Sequence, residues 1–310
     1  MEAASYRFVE TACPLCQAGT PARLLYNASF RTEDLSVSTF SARRMPDRVH
    51  YRMVRCTGCG LVRASPVLED AALARLYAGS RFEYGDLSHY AAMTYRRCLQ
   101  RAQRSLLRSR RLLEIGCGNG FFLPHALDCG FEEVYGVEPS ADAVAAPPPG
   151  VRERITQAMF RPGLYPPEHF SCICSFQVLD HFAHPDEVVA ECLRLLEPGG
   201  VALCVCHDIG SPLARSLGER SPMVDIEHVH LFDRSTVRRL FERNGFAVHE
   251  TFCVNNRYPL AYWVSLAPVG KTLKRAAARL LRSLGLAHKA LTLSAGNLGI
   301  IAAKPARGSS

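Results

Sequence analysis

Apolar and polar residues alternate in blocks over the C-terminal two thirds of the chain. From residue 111 onward, short apolar runs typical of buried strands are separated by stretches with helical spacing. The runs are RLLEIG from 111, VYGVEPS from 134, FSCICSFQVL from 170, VALCVCHD from 201, FAVHETFCV from 246 and NLGIIAAKP from 297. The Pro-rich segment 143–168 is expected to hold a shortened, irregular third unit, which makes FSCICSFQVL the fourth strand and VALCVCHD the fifth. This alternation predicts a mostly parallel sheet covered by helices on both faces.

Two helical patterns precede the first of these strands. Residues 67–83 carry Leu68, Leu73 and Leu76 at helical spacing, and residues 94–108 form a stronger amphipathic pattern. The second pattern opposes an apolar face (Tyr95, Leu99, Ala102, Leu106) to a basic one (Arg97, Arg101, Arg104, Arg108). The basic face is either solvated, as is usual for such stripes, or directed at an anionic ligand.

The pattern divides the chain into three parts. We predict a small module over 1–66, a helical connector over 67–108 and an α/β domain over 109–310, with an insertion at 257–294. The insertion contains a basic amphipathic stretch, KTLKRAAARLLRSLG, and leaves the sheet between its last two strands. Its leucines (Leu273, Leu280, Leu284) lie opposite its cations (Lys271, Lys274, Arg275, Arg282). We expect the leucines to dock on the domain, and the insertion and the helix over 94–108 to shape the substrate side of the site.

Composition narrows the class of protein. The 310 residues are 48% hydrophobic and 21% charged, as in ordinary globular domains, and no segment has the length of a membrane span. The first ten residues lack the pattern of a signal peptide, so we expect a cytoplasmic protein. The formal charge of +8 permits an anionic partner without selecting one. Of the thirteen cysteines, nine lie outside the two pairs described below. Most of these nine lie in apolar runs, where they are expected to be small buried side chains.

A glycine-rich turn follows the first strand of the domain. Glu114 ends that strand, and Gly116, Gly118 and Gly120 follow at alternate positions, unlike the G-x-G-x-x-G of dinucleotide folds. A carboxylate at this point repels phosphate but suits a ligand ammonium group. Glu138 ends the second strand, where a carboxylate can accept hydrogen bonds from both hydroxyls of a ribose. S-adenosylmethionine has both groups and no phosphate, which disfavours a nicotinamide-dependent dehydrogenase.

These motifs resemble those of class I methyltransferases. The resemblance rests on E-I-G-C-G-N-G from Glu114, V-E-P-S from Val137, F-Q-V-L-D-H-F from Phe176 and L-E-P-G-G from Leu196, and covers about residues 106–255 and the final strand. It implies a Rossmann-like, seven-stranded sheet whose last strand is antiparallel. It also implies that Glu114, Gly116, Gly118 and Glu138 line a site for S-adenosylmethionine.

Four further residues are expected in the same site. Cys117 and Gly120 belong to the glycine-rich turn, and Gln177 lies in the run after the fourth strand. No acidic residue is evident after the third strand to meet the adenine amine, and we expect Gln157 to do so through its amide oxygen.

Two cysteine pairs mark the N-terminal module. Cys13 and Cys16, then Cys56 and Cys59, form C-x-x-C motifs with 39 residues between them, and Gly60 follows the second pair. Two such knuckles present four thiolates, which suits a closed, structural zinc site. The alternative is four unligated cysteines. The C-T-G-C-G-L-V-R-A-S-P stretch is similar to bacterial methyltransferases with an N-terminal zinc ribbon, which often modify sugars, polysaccharide precursors or natural products.

Histidines after the later strands are candidates for a general base. They are His181 after the fourth strand, His207 after the fifth and His228 in the cluster Glu227-His228-Val229-His230. An oxygen or carbon acceptor needs such a base, and we favour His207 and His228 over His181 for contact with substrate. A metal on the cluster is disfavoured, because one strand cannot direct near-adjacent side chains to one ion. Asp180 stands where related proteins commonly have Glu.

The leading hypothesis is methyl transfer from S-adenosylmethionine to a small-molecule or carrier-linked acceptor, which we expect to be anionic. One rival keeps the activity but changes the acceptor to RNA or protein; the chain shows no aromatic-rich basic platform for a nucleic acid. Another is a zinc-ribbon adaptor with a degenerate Rossmann domain. The oligomeric state stays open.

Overall fold

The structure is a computed structural model that describes residues 6–16, 19–32, 35–40, 48–81, 85, 87–106, 110–267 and 269–307. Its strands, in chain order, are β1 (Phe8–Val9), β2 (Ala22–Tyr26), β3 (Met53–Cys56), β4 (Val62–Ala64), β5 (Val67–Leu68), β6 (Arg111–Ile115), β7 (Glu133–Glu138), β8 (Ile155–Gln157), β9 (Phe170–Phe176), β10 (Leu196–His207), β11 (His230–Leu231), β12 (Ala247–Pro259) and β13 (Ala290–Ala303). Its helices are α1 (Asp70–Ala78), α2 (Leu87–Ala102), α3 (Leu123–Asp128), α4 (Ala141–Ala145), α5 (Pro185–Leu195), α6 (Pro212–Leu217), α7 (Arg234–Arg243), α8 (Leu260–Leu266) and α9 (Lys271–Ser283).

The predicted α/β sheet is confirmed. Seven strands lie in the order β12-β13-β10-β9-β6-β7-β8, and β13 runs antiparallel to both of its neighbours, as the resemblance implied. The apolar run over Phe170–Phe176 is buried at every position, because β9 lies at the centre of the sheet with helices on both faces. The strand order brings the ends of β6, β7, β9 and β10 to one edge of the sheet.

The helices agree with the sequence in type more closely than in extent. α7 begins where predicted, because the Asp233 carboxylate accepts from the backbone N–H groups of Ser235 and Thr236 in a capping box. α2 begins at Leu87, seven residues before the predicted start, and buries Tyr95, Leu99 and Ala102 as expected. Arg108 lies outside the described residues.

The predicted helix over 67–83 is wrong in its first part. Val67 and Leu68 form β5, which pairs antiparallel with β1, and the helix runs only over Asp70–Ala78. Leu73 and Leu76 are buried on α1 as the spacing indicated. Pairing with a distant strand therefore overrides the local helical pattern at Leu68.

The N-terminal module shares its sheet with the α/β domain. β2, β3 and β4 form an antiparallel sheet, and β11, from residues 230–231, adds a fourth strand beside β4. Leu15 of the first cysteine pair is fully buried in the domain core, and its carbonyl accepts from Arg243 Nη1 at 2.8 Å. The N-terminal module and the α/β domain therefore differ in architecture on either side of residue 66, but they pack against each other directly.

The insertion departs from expectation. β12 and β13 keep pairing from Asn255↔Ser294 to Pro259↔Ala290, so a two-stranded ribbon carries α8 and α9 beyond the sheet. Leu273, Leu280 and Leu284 are about 60% exposed, and the prediction that they dock on the domain is wrong. The ribbon is the physical reason, because it holds α9 away from the surface on which the leucines would pack. No helix among the described residues is long and apolar enough to cross a membrane.

Candidate active site

A cavity opens at the carboxyl ends of the central strands. It has a volume of roughly 1000 Å³ including its open mouth, and its lining includes residues from β6, β7 and the turn after β9. Of the predicted cofactor residues, Glu114, Gly116, Gly118, Glu138 and Gln177 line it. Ligands of open α/β sheets bind at such strand ends.

The glycine-rich turn adopts a backbone conformation that favours glycine. Gly116 and Gly118 have φ angles of +70° and +56°, a region that side chains disfavour. A Cβ on Gly116 would lie 2.4 Å from Val178 Cγ2, so this backbone and the turn after β9 fit only without a side chain. Cys117 is buried and Gly120 packs near Ile155, and neither lines the cavity. They shape the turn from behind.

Glu138 is held by two backbone donors. Its Oε2 accepts from Gly118 N–H and its Oε1 from Ser140 N–H, each at 2.9 Å. Burial raises the pKa of Glu138, and the two N–H groups oppose that shift. Each carboxylate oxygen keeps a further lone pair for a ligand hydroxyl, so the side chain is both oriented and available.

Glu114 is a buried carboxyl whose hydrogen bonds are incomplete among the described residues. It is 2% exposed, and its Oε2 has no hydrogen-bond partner among the described residues. Burial, followed by the charge of Glu138, raises the pKa of Glu114 well above its ordinary value. A cationic group in the cavity would satisfy this oxygen and stabilise the ionised form.

The two glutamines differ in position. Gln177 lies directly after β9 at φ +61°, and its Oε1 is buried without a partner in the part of the chain that the structure describes. Gln157 is exposed and does not line the cavity, because β8 is a short edge strand that ends there. Met159 and Phe160, just beyond it, line the cavity instead.

A buried carboxylate joins the candidate histidines. Asp180, in the turn after β9, is 0% exposed, and its Oδ2 lies 2.5 Å from His207 Nδ1 at the end of β10. Although burial alone would raise it, the neighbouring histidines hold the pKa of Asp180 below its ordinary value. A hydrogen bond from Nδ1 to this carboxylate leaves His207 Nε2 as the basic nitrogen.

The other two histidines surround the same carboxylate. The ring of His228 lies 4.3 Å from that of His207 and 5.1 Å from that of His181, measured between centroids. His228 Nδ1 donates to the carbonyl of Met223 at 2.9 Å, and burial lowers the pKa of His228 to about 4. Burial also lowers the pKa of His181. Both rings are therefore neutral at pH 7.

His181 is the candidate base that lines the cavity, and His207 and His228 are not among its lining residues. This reverses the order that the sequence favoured. Three side chains of the cluster, Asp180, His207 and His228, offer possible metal-ligand atoms within 4.8 Å of one another. The side chains of the sequence cluster Glu227-His228-Val229-His230 do not converge on one point, because His230 Nδ1 donates to the carbonyl of Phe182.

Part of the cavity wall comes from residues outside the predicted cofactor site. Phe40, Tyr77 and Glu227 line the cavity there. The hydroxyl of Tyr77 lies 3.5 Å from His181 Nδ1 and donates to the carbonyl of Glu227 at 3.5 Å. Sequence reasoning missed Phe40 and Tyr77, because neither belongs to a motif and each reads as an ordinary core aromatic.

The four predicted zinc ligands converge in the N-terminal module. Cys13 Sγ lies 3.5 Å from Cys59 Sγ, and Cys56 Sγ lies 3.8 Å from Cys16 Sγ; none is in a disulfide. Four sulfurs bound at about 2.3 Å to a tetrahedral ion lie about 3.8 Å apart. Burial opposes ionisation of Cys56, but N–H groups of Cys59 and Gly58 prevail and lower its pKa to about 7. The donor set fits zinc.

The fold and the cavity together define a class I methyltransferase. A model of the methyltransferase domain family matches residues 87–251, more than half of the chain. The chain belongs to this family.

Curated relatives agree with this assignment. The chain is 29% identical over 152 residues to a Mycolicibacterium smegmatis protein described as a "Probable S-adenosylmethionine-dependent methyltransferase", covering 47% of this chain and 55% of that protein. It is 30% identical over 165 residues to an "Uncharacterized methyltransferase" of Mycobacteroides abscessus, covering 51% and 61%. The chain thus spans less than two thirds of either relative.

Solved structures include a crystal structure of a SAM-dependent methyltransferase from Archaeoglobus fulgidus. It aligns with 69% of this chain and 94% of its own, at 18% identity and a TM-score of 0.46.

The buried Glu114 carboxyl generates a prediction for the free protein. Because its pKa is raised on folding, the folded state binds more protons than the unfolded state once pH exceeds the ordinary value of about 4.3. Stability should therefore fall as pH rises, by up to about 1.4 kcal/mol per pH unit from this group. Glu114→Gln should lack this slope in the free energy of unfolding, measured by denaturant titration between pH 5 and 8.

The matched control is Glu197→Gln, at a half-buried glutamate paired with Arg111 outside the cavity. It should keep the slope of the parent. Parallel pH profiles for the parent and Glu114→Gln would contradict the raised pKa.

Proposed function

We propose that this protein transfers the methyl group of S-adenosylmethionine to a small or carrier-linked acceptor, such as a sugar or natural-product precursor. The observation that carries the proposal is the pair of carboxylates, Glu114 and Glu138, on either side of the glycine-rich turn in one cavity. Bound S-adenosylmethionine would supply an electrophilic methyl group on its sulfonium.

In this proposal, the residues around the turn each bind a different group of the cofactor. Glu114 binds the ammonium group, since its buried Oε2 needs a cation or donor. Glu138 accepts the ribose hydroxyls, because its two backbone donors fix the carboxylate. Gly116 and Gly118 allow close approach to the backbone, and the amide of Gln177 offers an acceptor at the methyl end.

His181 is our candidate for the residue that meets the acceptor. It lines the cofactor cavity, and it also lines a second cavity that shares Tyr77, Phe160 and Phe182. Because burial keeps its ring neutral, it can take a proton from an acceptor hydroxyl or carbon. Asp180 and His207 act as positioning residues. The Asp180 carboxylate, whose Oδ1 lies 3.9 Å from His181 Nε2, is close enough to stabilise the His181 imidazolium that forms.

The shape of the site favours a small acceptor over a polymer. Phe40, Tyr77 and Glu227 wall the cavity with aromatic and acidic groups, and Arg81 is the one Lys or Arg among its described lining residues, so the cavity offers no row of cations for a phosphate backbone. Seven of the chain's Lys and Arg residues lie in 257–294, and none of these lines the cavity. Transfer to RNA or protein remains the second candidate, and a non-catalytic adaptor the third.

We also propose that Cys13, Cys16, Cys56 and Cys59 bind one structural zinc. The support is the spacing of their sulfurs and the knuckle turns around them, with Gly60 at φ +81°. Four protein ligands leave no open coordination position, so the ion stabilises the module without reacting.

The first prediction concerns cofactor affinity. Glu138→Ala should weaken the binding of S-adenosylhomocysteine by about 1.5–3 kcal/mol, or roughly 10- to 150-fold, because two bonds to a charged acceptor are lost. Isothermal titration calorimetry measures this, and Glu133→Ala on the same strand is the control. Equal affinity of Glu138→Ala and the parent, or tight binding of NAD by the parent, would refute the cofactor assignment.

The second prediction concerns the metal. Protein purified without chelator should contain about one zinc per chain, and Cys56→Ser should lose it. Because Leu15 and Arg243 tie the knuckles to α7, we expect zinc loss to lower the melting temperature of the whole chain as well as that of the module. Cys253→Ser, at an exposed cysteine remote from the four, is the control. Elemental analysis without zinc in the parent would remove this proposal.

The third prediction concerns the acceptor. With S-adenosylmethionine carrying a radioactive methyl group, label should enter the small-molecule or lipid fraction of a cell extract, and His181→Gln should slow transfer about 10²- to 10⁴-fold. If that variant still binds the cofactor, its slower transfer reflects lost catalysis and not lost folding. A transfer rate of the parent that is unchanged by a chelator would show that the histidine cluster does not act through a bound metal. Label confined to RNA or protein would favour the second candidate, and absence of any transfer would favour the adaptor.

A further inference from the structure

The hairpin of α8 and α9 has an apolar face that nothing in the described chain covers. Leu273, Leu280 and Leu284 lie within about 40° of one another around α9 and are 59–60% exposed. The helix packs on α8 through a different face, which carries the less exposed Ala277, Ala278 and Leu281. Exposed leucines grouped in this way mark an interaction surface.

The same hairpin is strongly basic. Residues 257–294 contain seven Lys and Arg residues and no Asp or Glu, and no acid occurs after Glu250. Lys271, Arg275, Arg279 and Arg282 lie together on the side of α9 opposite the leucines and form no ion pair with the described part of the chain. The surface therefore combines an apolar strip with a concentrated positive charge.

Aromatic side chains lie at the base of the hairpin. Tyr262 and Trp263 of α8 contact Tyr258 of the ribbon, and Trp263 Nε1 donates to the carbonyl of Leu291 at 2.9 Å. Leu291 and Leu293 extend the exposed apolar surface along β13. A basic helix with leucines on one side and Tyr and Trp nearby is the composition of helices that lie in the headgroup region of a bilayer.

Topology relates this surface to the active site. β12 runs parallel to β10, since both are antiparallel to β13, so the ribbon leaves the sheet at the carboxyl ends of the strands. The cofactor cavity opens at the same edge. A surface that the hairpin binds would therefore lie on the side where the acceptor enters.

We propose that the α8–α9 hairpin docks the protein on an anionic phospholipid membrane, with the leucines of α9 in the headgroup region and the cations of its opposite, polar face attracted by the negative surface charge of the lipids. The proposal goes beyond the proposed function and does not depend on it, because docking needs neither cofactor nor acceptor. If both hold, the acceptor is presented at a membrane surface, as a lipid-linked anionic precursor would be.

Two other occupants explain the surface less well. A nucleic acid would account for the cations but not for three leucines at 60% exposure. A second copy of this chain would cover the leucines but would bring two basic hairpins together, with no acid in either. An anionic bilayer satisfies both halves of the surface at once.

The test uses the full chain with vesicles of phosphatidylcholine alone or with 30 mol% phosphatidylglycerol. Co-flotation should occur with the anionic vesicles and weaken as salt rises, because surface charge is screened. Trp263 is the only tryptophan of the chain and lies in the hairpin, so its fluorescence should shift to the blue on binding. Brominated lipids should quench it.

Two sets of variants separate the apolar and charged contributions. Leu273→Ser with Leu280→Ser and Leu284→Ser should weaken vesicle binding at least about tenfold. Lys271→Glu with Arg275→Glu should do the same. The matched controls change exposed residues elsewhere: Leu24, Leu127 and Leu213 to Ser, and Arg97 with Arg104 to Glu. All variants should bind S-adenosylhomocysteine like the parent, which verifies folding and keeps this test distinct from that of the proposed function.

Three results would overturn the proposal. One is no co-flotation of the parent with anionic vesicles at low salt. Another is equal loss of binding in the control variants, which would mean nonspecific attraction. The third is a stable dimer in sedimentation experiments that dissociates in the leucine variant, because a second copy would then cover the face.

Discussion

The pairing of β4 with β11 is the interaction on which the site depends. Ala64 N–H donates to the carbonyl of Val229 at 2.7 Å, and His230 and Leu231 continue the N-terminal sheet. This places the segment that carries Glu227 and His228 against the N-terminal module. The cysteine knuckles, Tyr77 of α1 and the histidine cluster therefore form one packed unit, although 150 residues separate Tyr77 from Glu227. Without that pairing the cavity would lose the part of its lining that Glu227 contributes.

Two buried carboxylates give the site its electrostatic character by different means. Asp180 has three imidazoles around it, which favour its ionised form. Glu114 is buried, its Oε2 has no hydrogen-bond partner among the described residues, and the carboxylate of Glu138 lies nearby, so its ionised form is disfavoured. A fold selected for stability alone would have paired or removed Glu114, since an unsatisfied buried polar group is destabilising. Its presence at the end of β6 is consistent with a site completed by a ligand.

The sequence predicts six of the seven strands well, because each contains an apolar run, whereas the short edge strand β8 contains none. The glycine-rich turn and Glu138 are also predictable, since their spacing along the chain determines their place at the strand ends. The contact between Asp180 and His207 is not, because it depends on the register of β9 against β10, which the pattern leaves open. The two-residue strand β11 carries no periodicity at all.

The leucines of α9 illustrate a different limit. An amphipathic pattern shows that a helix has an apolar face but not whether the same chain covers it. Leu68 shows the converse, because a helical pattern there was overridden by pairing with Phe8. In both cases the deciding contact is distant in sequence.

The ribbon formed by the ends of β12 and β13 is constrained differently from the parts of the same strands that lie in the sheet. Up to Val254 and Asn297, β13 pairs with β10 on one side and with β12 on the other, and both strands contribute to the buried core. Beyond Asn255 and Ser294 they pair only with each other, and what they carry can change in length or composition without shifting any residue of the sheet. The hairpin can therefore tolerate insertions and substitutions that leave the sheet and the cavity unchanged, as is usual for segments that extend from a folded domain.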